Sequence, residues 1–250
     1  MPFEYPENFA RFYDVIYHSV RDGVDNDYYH QKLMEAKGPA LEIGAGTGRL
    51  FKRALEDGAD IYAIDVSPSM LKVLKSKIRE ENHFRVSLQN ATNFRLDKKF
   101  SVVVAPFRVF SHILTPGDQI NALNNIYEHL SPGGTFIFDL YVPDLKLLVE
   151  GFRDFIDFEK EIPGGEKVRR MVSTQNDLIN QITHIRFRME WTEKGEWKSE
   201  DWDFDFRFYF RYEIEHLAAR SKFGSCKIYG NFLGGELKRN SKEFVIHCTR

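Results

Sequence analysis

Two kinds of hydrophobic patterning divide this chain. Up to about residue 144, short apolar runs alternate with stretches of helical spacing, and beyond it apolar and polar residues alternate one by one. In the first 37 residues, Phe9, Phe12, Tyr13, Ile16 and Tyr17 recur at helical spacing and predict an amphipathic helix, which Gly38-Pro39 punctuates. Ala40 to Ile43 predicts a buried strand, followed by a glycine-rich turn and a helix from about Arg49 to Asp57. Asp60 to Ile64 predicts a second strand. Ser67 as N-cap and Pro68 at the first helical position open another helix. Phe84 to Gln89 and Phe100 to Ala105 predict strands three and four. Gln119 to Leu130 predicts a helix that stops at Ser131-Pro132-Gly133-Gly134, and Thr135 to Leu140 a fifth strand.

Strands alternating with helices imply right-handed crossovers and a parallel sheet. Ligands of such sheets bind outside the carboxyl ends of the strands, at the switch point in strand order. That rule places a site just after Ile43, Ile64, Gln89, Ala105 and Leu140.

After Asp144 the period becomes two. Ile185, Phe187, Met189 and Trp191 alternate with His184, Arg186, Arg188 and Glu190, and Trp202, Phe204, Phe206, Phe208, Phe210 and Tyr212 alternate with polar residues and Tyr209. This is the signature of antiparallel strands with one covered and one wet face. The fold class expected is α/β, a doubly wound Rossmann-like sheet with an inserted antiparallel β-sheet. Residues 1–144 would hold the N-terminal helix and the α/β core, and 145–212 the insertion, a lid or acceptor platform. Residues 213–250 would return to the core through a helix from Glu213 to Ser221. Two strands, Cys226–Tyr229 and Phe244–Cys248, would close it, joined by a turn at Gly234-Gly235. The aromatic faces of the insertion read as its core before they read as a substrate box.

Composition narrows the function classes. The 250 residues carry a net charge of −2 and 42 % hydrophobic residues, which supports a packed core and gives no broad basic face for nucleic acid. No run of some 18 apolar residues points to a membrane span, and Met1-Pro2-Phe3-Glu4-Tyr5 lacks the order of a signal peptide. Cys226 and Cys248 have no metal-type spacing and read as two free thiols, so the expected compartment is the cytoplasm. No ligand-spaced His/Asp/Glu cluster points to a metal.

The candidate chemistry centres on Leu41-Glu42-Ile43-Gly44-Ala45-Gly46-Thr47-Gly48. A glycine-rich turn between a strand and a helix lets backbone approach a ligand. The dinucleotide fingerprint G-x-G-x-x-G wants its third glycine where Arg49 stands, and Glu42 inside the strand would repel a pyrophosphate. Asp65, ending the second strand, is placed to accept both hydroxyls of a ribose; its other reading is an acid at a helix N-terminus.

These segments resemble the class I S-adenosylmethionine (SAM) dependent methyltransferase superfamily. Leu41 to Gly48 resembles its first motif, Asp65-Val66-Ser67-Pro68-Ser69-Met70-Leu71 its second, and His129-Leu130-Ser131-Pro132-Gly133-Gly134 the segment entering its fifth strand. The resemblance covers about residues 8 to 142 and implies a seven-stranded sheet whose last strand is antiparallel. It implies SAM as cofactor, held by Gly44, Ala45, Gly46 and Gly48, by Asp65 at the ribose, by Val66, and by Met70 against the adenine. Glu42 suits the amino group of the methionine end. The superfamily has an acid after strand three; here Gln89-Asn90-Ala91 stands there, and Asn90, with Ala91, would meet the adenine through its amide oxygen. Phe9 to Tyr17 resembles an N-terminal segment whose Tyr closes over the methionine end, with Tyr13 the candidate and Tyr17 the reserve, against a plain packing role. The length and the antiparallel block also resemble bacterial small-molecule methyltransferases, including amino-sugar N-methyltransferases.

Methyl transfer is an in-line displacement, so the protein chiefly has to place a nucleophile and, where needed, take its proton. Pro106-Phe107-Arg108-Val109-Phe110-Ser111-His112 follows strand four, where acceptor and methyl donor would meet, with Phe107 beside the cofactor. His112 is the candidate base, its ordinary pKa class suiting proton abstraction near neutrality; a structural histidine is its other reading. Arg108 would bind an anionic acceptor or cap a carboxylate, and Asp139 and Tyr141 would line the same pocket, Asp139 facing an amine. The expected partner is a small-molecule acceptor of nitrogen or oxygen type, with the chain a monomer or homodimer. Two other readings stay open: a SAM-binding module without catalysis, and an NAD(P)-dependent oxidoreductase, although no Tyr-Lys hydride-transfer pair accompanies the loop.

Overall fold

The computed structural model describes residues 4–20 and 23–250; Met1, Pro2 and Phe3, on which the reading of the leader partly rested, lie outside the described residues. The expected N-terminal helix is two helices, α1 (Glu7–Val20) and α2 (Val24–Met34). Gly23, at φ +83°, precedes α2 in the left-handed region.

The core alternates strand and helix as the pattern implies: β1 (Ala40–Ile43), α3 (Arg49–Glu56), β2 (Ile61–Asp65), α4 (Pro68–Ser76), β3 (Val86–Leu88), β4 (Phe100–Ala105), α5 (Pro116–His129) and β5 (Leu130–Tyr141). After α6 (Leu145–Glu150) come four long strands, β6 (Phe152–Glu161), β7 (Lys167–Asp177), β8 (Ile182–Glu193) and β9 (Glu196–Arg207). The chain then returns through α7 (Arg211–Arg220), β10 (Lys227–Tyr229) and β11 (Glu243–Thr249).

One sheet has seven strands in the order β10-β11-β5-β4-β1-β2-β3. β1, β2, β3, β4 and β5 run parallel, while β11 lies antiparallel between β5 and β10. Both faces are covered, so β1 is buried at all four positions. On one face Ala122, Leu123 and Ile126 of α5 and Ile214 and Leu217 of α7 pack against β4 and β5. On the other, Tyr29 and Leu33 of α2 join Leu50, Phe51 and Ala54 of α3. Ser67 caps α4 as predicted, its Oγ accepting from the Met70 N–H at 3.3 Å.

The second sheet is antiparallel, β6-β7-β8-β9. Its apolar face (Phe158, Val168, Met189, Trp191, Trp202) packs on Phe9, Phe12 and Ile16 of α1, so the aromatic alternation does bury a core. Two boundaries differ from the pattern. The third strand is only three residues long because Glu80–Arg85 forms a 3-10 helix whose Phe84 stays 70 % exposed. β9 ends at Arg207 rather than Tyr212: Phe208 and Tyr209 are neighbours and both are 1 % exposed, which strand alternation between a dry and a wet face does not allow. The Arg207 guanidinium is tied to Glu213 at 2.7 Å, and the chain turns into α7.

Candidate functional site

The first crossover builds the site. The Gly44 and Ala45 N–H groups donate to the Ile64 carbonyl at 2.8 and 3.2 Å, so the loop continues the β1–β2 ladder before turning away. Gly44 sits at φ +71°, and a Cβ there would stand 2.5 Å from Val109. Gly48 sits at φ +82°, and a Cβ there would stand 2.7 Å from Leu74 of α4. Both positions exclude a side chain for steric as well as torsional reasons. Asp65 ties the loop to the second motif: its Oδ2 accepts from the Gly46 N–H and its Oδ1 from the Ser67 N–H, each at 2.8 Å. Burial raises the pKa of this carboxyl, opposed by the backbone N–H donors of Ser67, Gly46 and Val66.

A cleft of about 1000 Å³, partly open to solvent, lies at the carboxyl ends of these strands, where strand order reverses around β1 and β4. It brings together Tyr13, Gly44, Gly46, Asp65, Val66, Met70, Asn90, Ala91, Phe107 and His112 from the predicted set. Glu42, Ala45 and Gly48 do not line it. Ala45 packs in the core with α3, and Gly48 opens α3 against Leu74. Glu42 is 1 % exposed beneath the loop, and burial, then Asp65, push its pKa well up.

Asn90 lines the cleft, and its side chain has partners of its own. Its Oδ1 accepts from both the N–H and the Oγ of Thr92, each at 2.9 Å, so the amide oxygen expected at the adenine also closes an Asx turn. Asp139 is displaced. It lies on the other face of β5, accepting from the Tyr29 hydroxyl at 2.7 Å, because alternation along the strand sends it to the α2 side while Phe136 and Phe138 take the α5 side. Arg108 caps a carboxylate, donating to Glu243 at 2.7 Å, with its guanidinium 5.5 Å from the Tyr141 ring. Phe107 and Arg108 are consecutive non-glycine residues at φ +60° and +64°. Such backbone is costly, and it turns the chain sharply over the cleft after β4.

His112 ends a 3-10 turn (Val109–His112) and faces the second sheet, its ring 4.9 Å from Phe206 and 5.8 Å from Phe204. Burial pushes its pKa down to about 4, so the expected basicity near neutrality does not hold. Tyr141 stacks on Phe206 with ring centroids 6.2 Å apart.

Sequence reasoning missed Tyr5, which lines the cleft beside Tyr13. Its ring lies 4.3 Å from Trp202 of β9 and 5.9 Å from Tyr13, and its N–H donates to Ser67 Oγ at 3.4 Å. No periodic signal marks it, since it precedes α1. Asp14 was present in the N-terminal motif but had no assigned role. It accepts from Thr47 Oγ1 at 2.6 Å and pairs with Lys77, which also donates to the Thr47 carbonyl at 2.8 Å. This network fixes α1, and with it Tyr13, over the glycine loop.

Beside the glycine loop, Glu42 Oε2 and Arg49 Nη1 are among the buried polar atoms that have no hydrogen-bond partner among the described residues. The Arg49 guanidinium lies 4.7 Å from the Phe107 ring and 5.9 Å from that of Tyr17. The Arg49 cation beside the glycine loop suits the carboxylate of an amino-acid end, and Asp65 with Met70 matches a ribose and a flat base. The donor set therefore fits SAM. Among the described residues there is no metal-ligand cluster and no helix long and apolar enough to cross a membrane.

Comparison with known proteins agrees with this geometry. Residues 41–136 match the methyltransferase domain family. A Bacillus subtilis (strain 168) protein named as a methyltransferase is 25 % identical over 138 residues, 54 % of this chain and 55 % of the relative. The chain spans about half the length of the curated relatives it matches. Among solved structures, a SAM-dependent methyltransferase from Clostridium acetobutylicum ATCC 824 superposes with TM-score 0.77 at 20 % identity, covering 97 % of both chains. A sugar N-methyltransferase from Streptoalloteichus sp ATCC 53650 superposes with TM-score 0.70 at 17 % identity, covering 94 % of this chain and 91 % of the other. At such identities the superpositions establish the fold, second sheet included. Residues 41–136 thus match a methyltransferase domain, and the chain shares the fold of SAM-dependent methyltransferases.

Proposed function

We propose that this chain transfers the methyl group of SAM to a nitrogen of a small amine. The observation that carries the choice of nitrogen is His112, a half-buried histidine at the cleft wall, packed against Phe204 and Phe206, with its pKa pushed down to about 4. A neutral amine attacks with its lone pair and becomes a methylated ammonium, whose proton leaves afterwards to solvent. An alcohol has to lose its proton as it attacks, which calls for a base of far higher pKa than His112 offers.

SAM, when bound, supplies an electrophilic methyl group on a sulfonium with a neutral thioether as leaving group. Asp65 would accept from the ribose hydroxyls, and Met70 would pack on the base. Arg49, beside the Phe107 ring, would meet the carboxylate of the amino-acid end, with Glu42 supporting the loop from beneath. Phe107, turned over the cleft by its left-handed backbone, would exclude water from the reacting atoms. Neutral His112 would orient the amine by hydrogen bonding rather than remove its proton. Phe204, Phe206 and Tyr141 would form the apolar wall for the rest of the acceptor, and their aromatic faces favour a group that becomes cationic. The second sheet thereby acts as the acceptor platform. The N-methyltransferase of sugars among the structural neighbours supports this class.

Incubation with methyl-labelled SAM and matched amines and alcohols tests the reading. Label is expected in amines, with the rate rising as pH approaches the amine's own pKa. Transfer confined to hydroxyl acceptors would overturn it.

A further inference from the structure

Cys226 and Cys248 are the only cysteines in the sequence, and the cleft uses neither. Cys226 immediately precedes β10, and Cys248 lies in β11. The antiparallel ladder pairs Lys227 with His247 and Ile228 with Ile246, so one further step sets Cys226 opposite Cys248. The two thiols are hydrogen-bonded to each other and belong to one apolar cluster. Directly opposed residues of an antiparallel pair stand about 4.5 or 5.5 Å apart at Cα, depending on whether they exchange backbone hydrogen bonds. Either spacing falls within the roughly 4.4–6.8 Å range that a disulfide spans.

The two sulfurs are not equivalent. Cys226 is half-buried, and the hydrogen bond from Cys248 lowers its pKa against the opposing effects of burial and Glu215. Cys248 is 1 % exposed, and donating that bond, together with burial, raises its pKa. The reachable sulfur is thus the more acidic one, and its buried neighbour is already in contact to resolve it.

We propose that Cys226 and Cys248 form a reversible dithiol–disulfide site oxidised by small hydroperoxides. The Cys226 thiolate attacks the O–O bond, which breaks; one oxygen stays as the Cys226 sulfenic acid, and the other leaves as hydroxide or alkoxide and takes up the proton the thiol released. Cys248 sulfur then attacks Cys226 sulfur. The S–S bond forms, the S–O bond breaks, and the hydroxyl leaves as water with the Cys248 proton. The thiol pair is oxidised by two electrons and the peroxide reduced by two. Closure would tie β10 covalently to β11, in which Cys248 pairs with Phe136 of β5, a residue of the cleft wall.

The test treats fully reduced protein with hydrogen peroxide, then measures thiols after denaturation, intact mass, and peptides digested without reductant. Both thiols should disappear together, the mass should fall by two hydrogens, and one linked peptide should carry both cysteines and separate on adding dithiothreitol. Cys248→Ser should stop at a sulfenic acid that dimedone traps on Cys226. Cys226→Ser should leave the Cys248 thiol unoxidised. Persistence of both thiols, gain of oxygen without a linked peptide, or linkage between chains in the wild-type protein would each overturn the proposal, whether or not the variants fold.

Discussion

The seven-stranded and four-stranded sheets differ in what covers them, and the difference decides where chemistry can sit. Helices cover both faces of the first, and buried acids there are held in place: Asp65 by two backbone N–H donors, Asp139 by Tyr29. The second sheet has one face on α1, while its other face carries charge pairs in water, Arg186–Asp203 and Arg188–Asp201 at 2.7 Å and His184–Asp205 at 2.6 Å. Buried polar groups are costly to disturb, whereas exposed pairs are screened and contribute little. Substitutions in the two regions should therefore separate by size of effect.

Gly44→Ala should be the most damaging. Left-handed backbone costs an alanine about 1–2 kcal/mol, and overpacking against Val109 adds roughly 1–3 kcal/mol, read as lost stability in urea unfolding. A loss below about 1 kcal/mol would show that the loop does not need a glycine there.

The next test uses pH. His112 has its pKa lowered from 6.5 to about 4 in the folded chain. The unfolded chain takes up a proton as pH falls below 6.5, while the folded one resists until about 4, so this stability is present above pH 6.5 and lost as pH falls to about 4. Its size is about 3 kcal/mol at 1.36 kcal/mol per unit. The Tm of wild type should fall more steeply than that of His112→Asn between these pH values. Parallel Tm curves would refute the burial of an uncharged imidazole.

Asp65→Ala comes third, weakening SAM binding by about 1–3 kcal/mol in calorimetric titration, and an unchanged Kd would remove Asp65 from the ribose. Smallest of all, Arg186→Ala on the outer charged face should leave Tm and SAM affinity within measurement scatter. A drop comparable to that of Gly44→Ala would erase the contrast between the sheets.

How much was readable follows the same divide. β1 and β4 have the boundaries that their apolar runs predict, because a strand buried on both faces is written as a continuous apolar segment. The glycine loop was legible because sterics leave few residues able to stand there. The end of β9 was not. Phe208 and Phe210 keep the alternation of the strand in the sequence, although the chain has already left the sheet; Phe208 is buried and Phe210 is exposed at the start of α7, and period two alone does not reveal that change. The direction of Asp139 was hidden for a related reason: sequence shows which residues share a face of β5, not which helix layer that face meets. His112 was placed correctly along the chain, yet its depressed pKa depends on Phe204 and Phe206, which are about ninety residues distant and brought near only by the second sheet. Tyr5 stands outside any periodic segment and is recruited by Trp202.

The most direct measurement is calorimetric titration of the wild-type chain with SAM, S-adenosylhomocysteine and NADH. Saturable one-site binding of the first two, with no heat from NADH, is the predicted result. Failure to bind either sulfur compound, or saturable binding of NADH in their place, would contradict the assignment of the cleft.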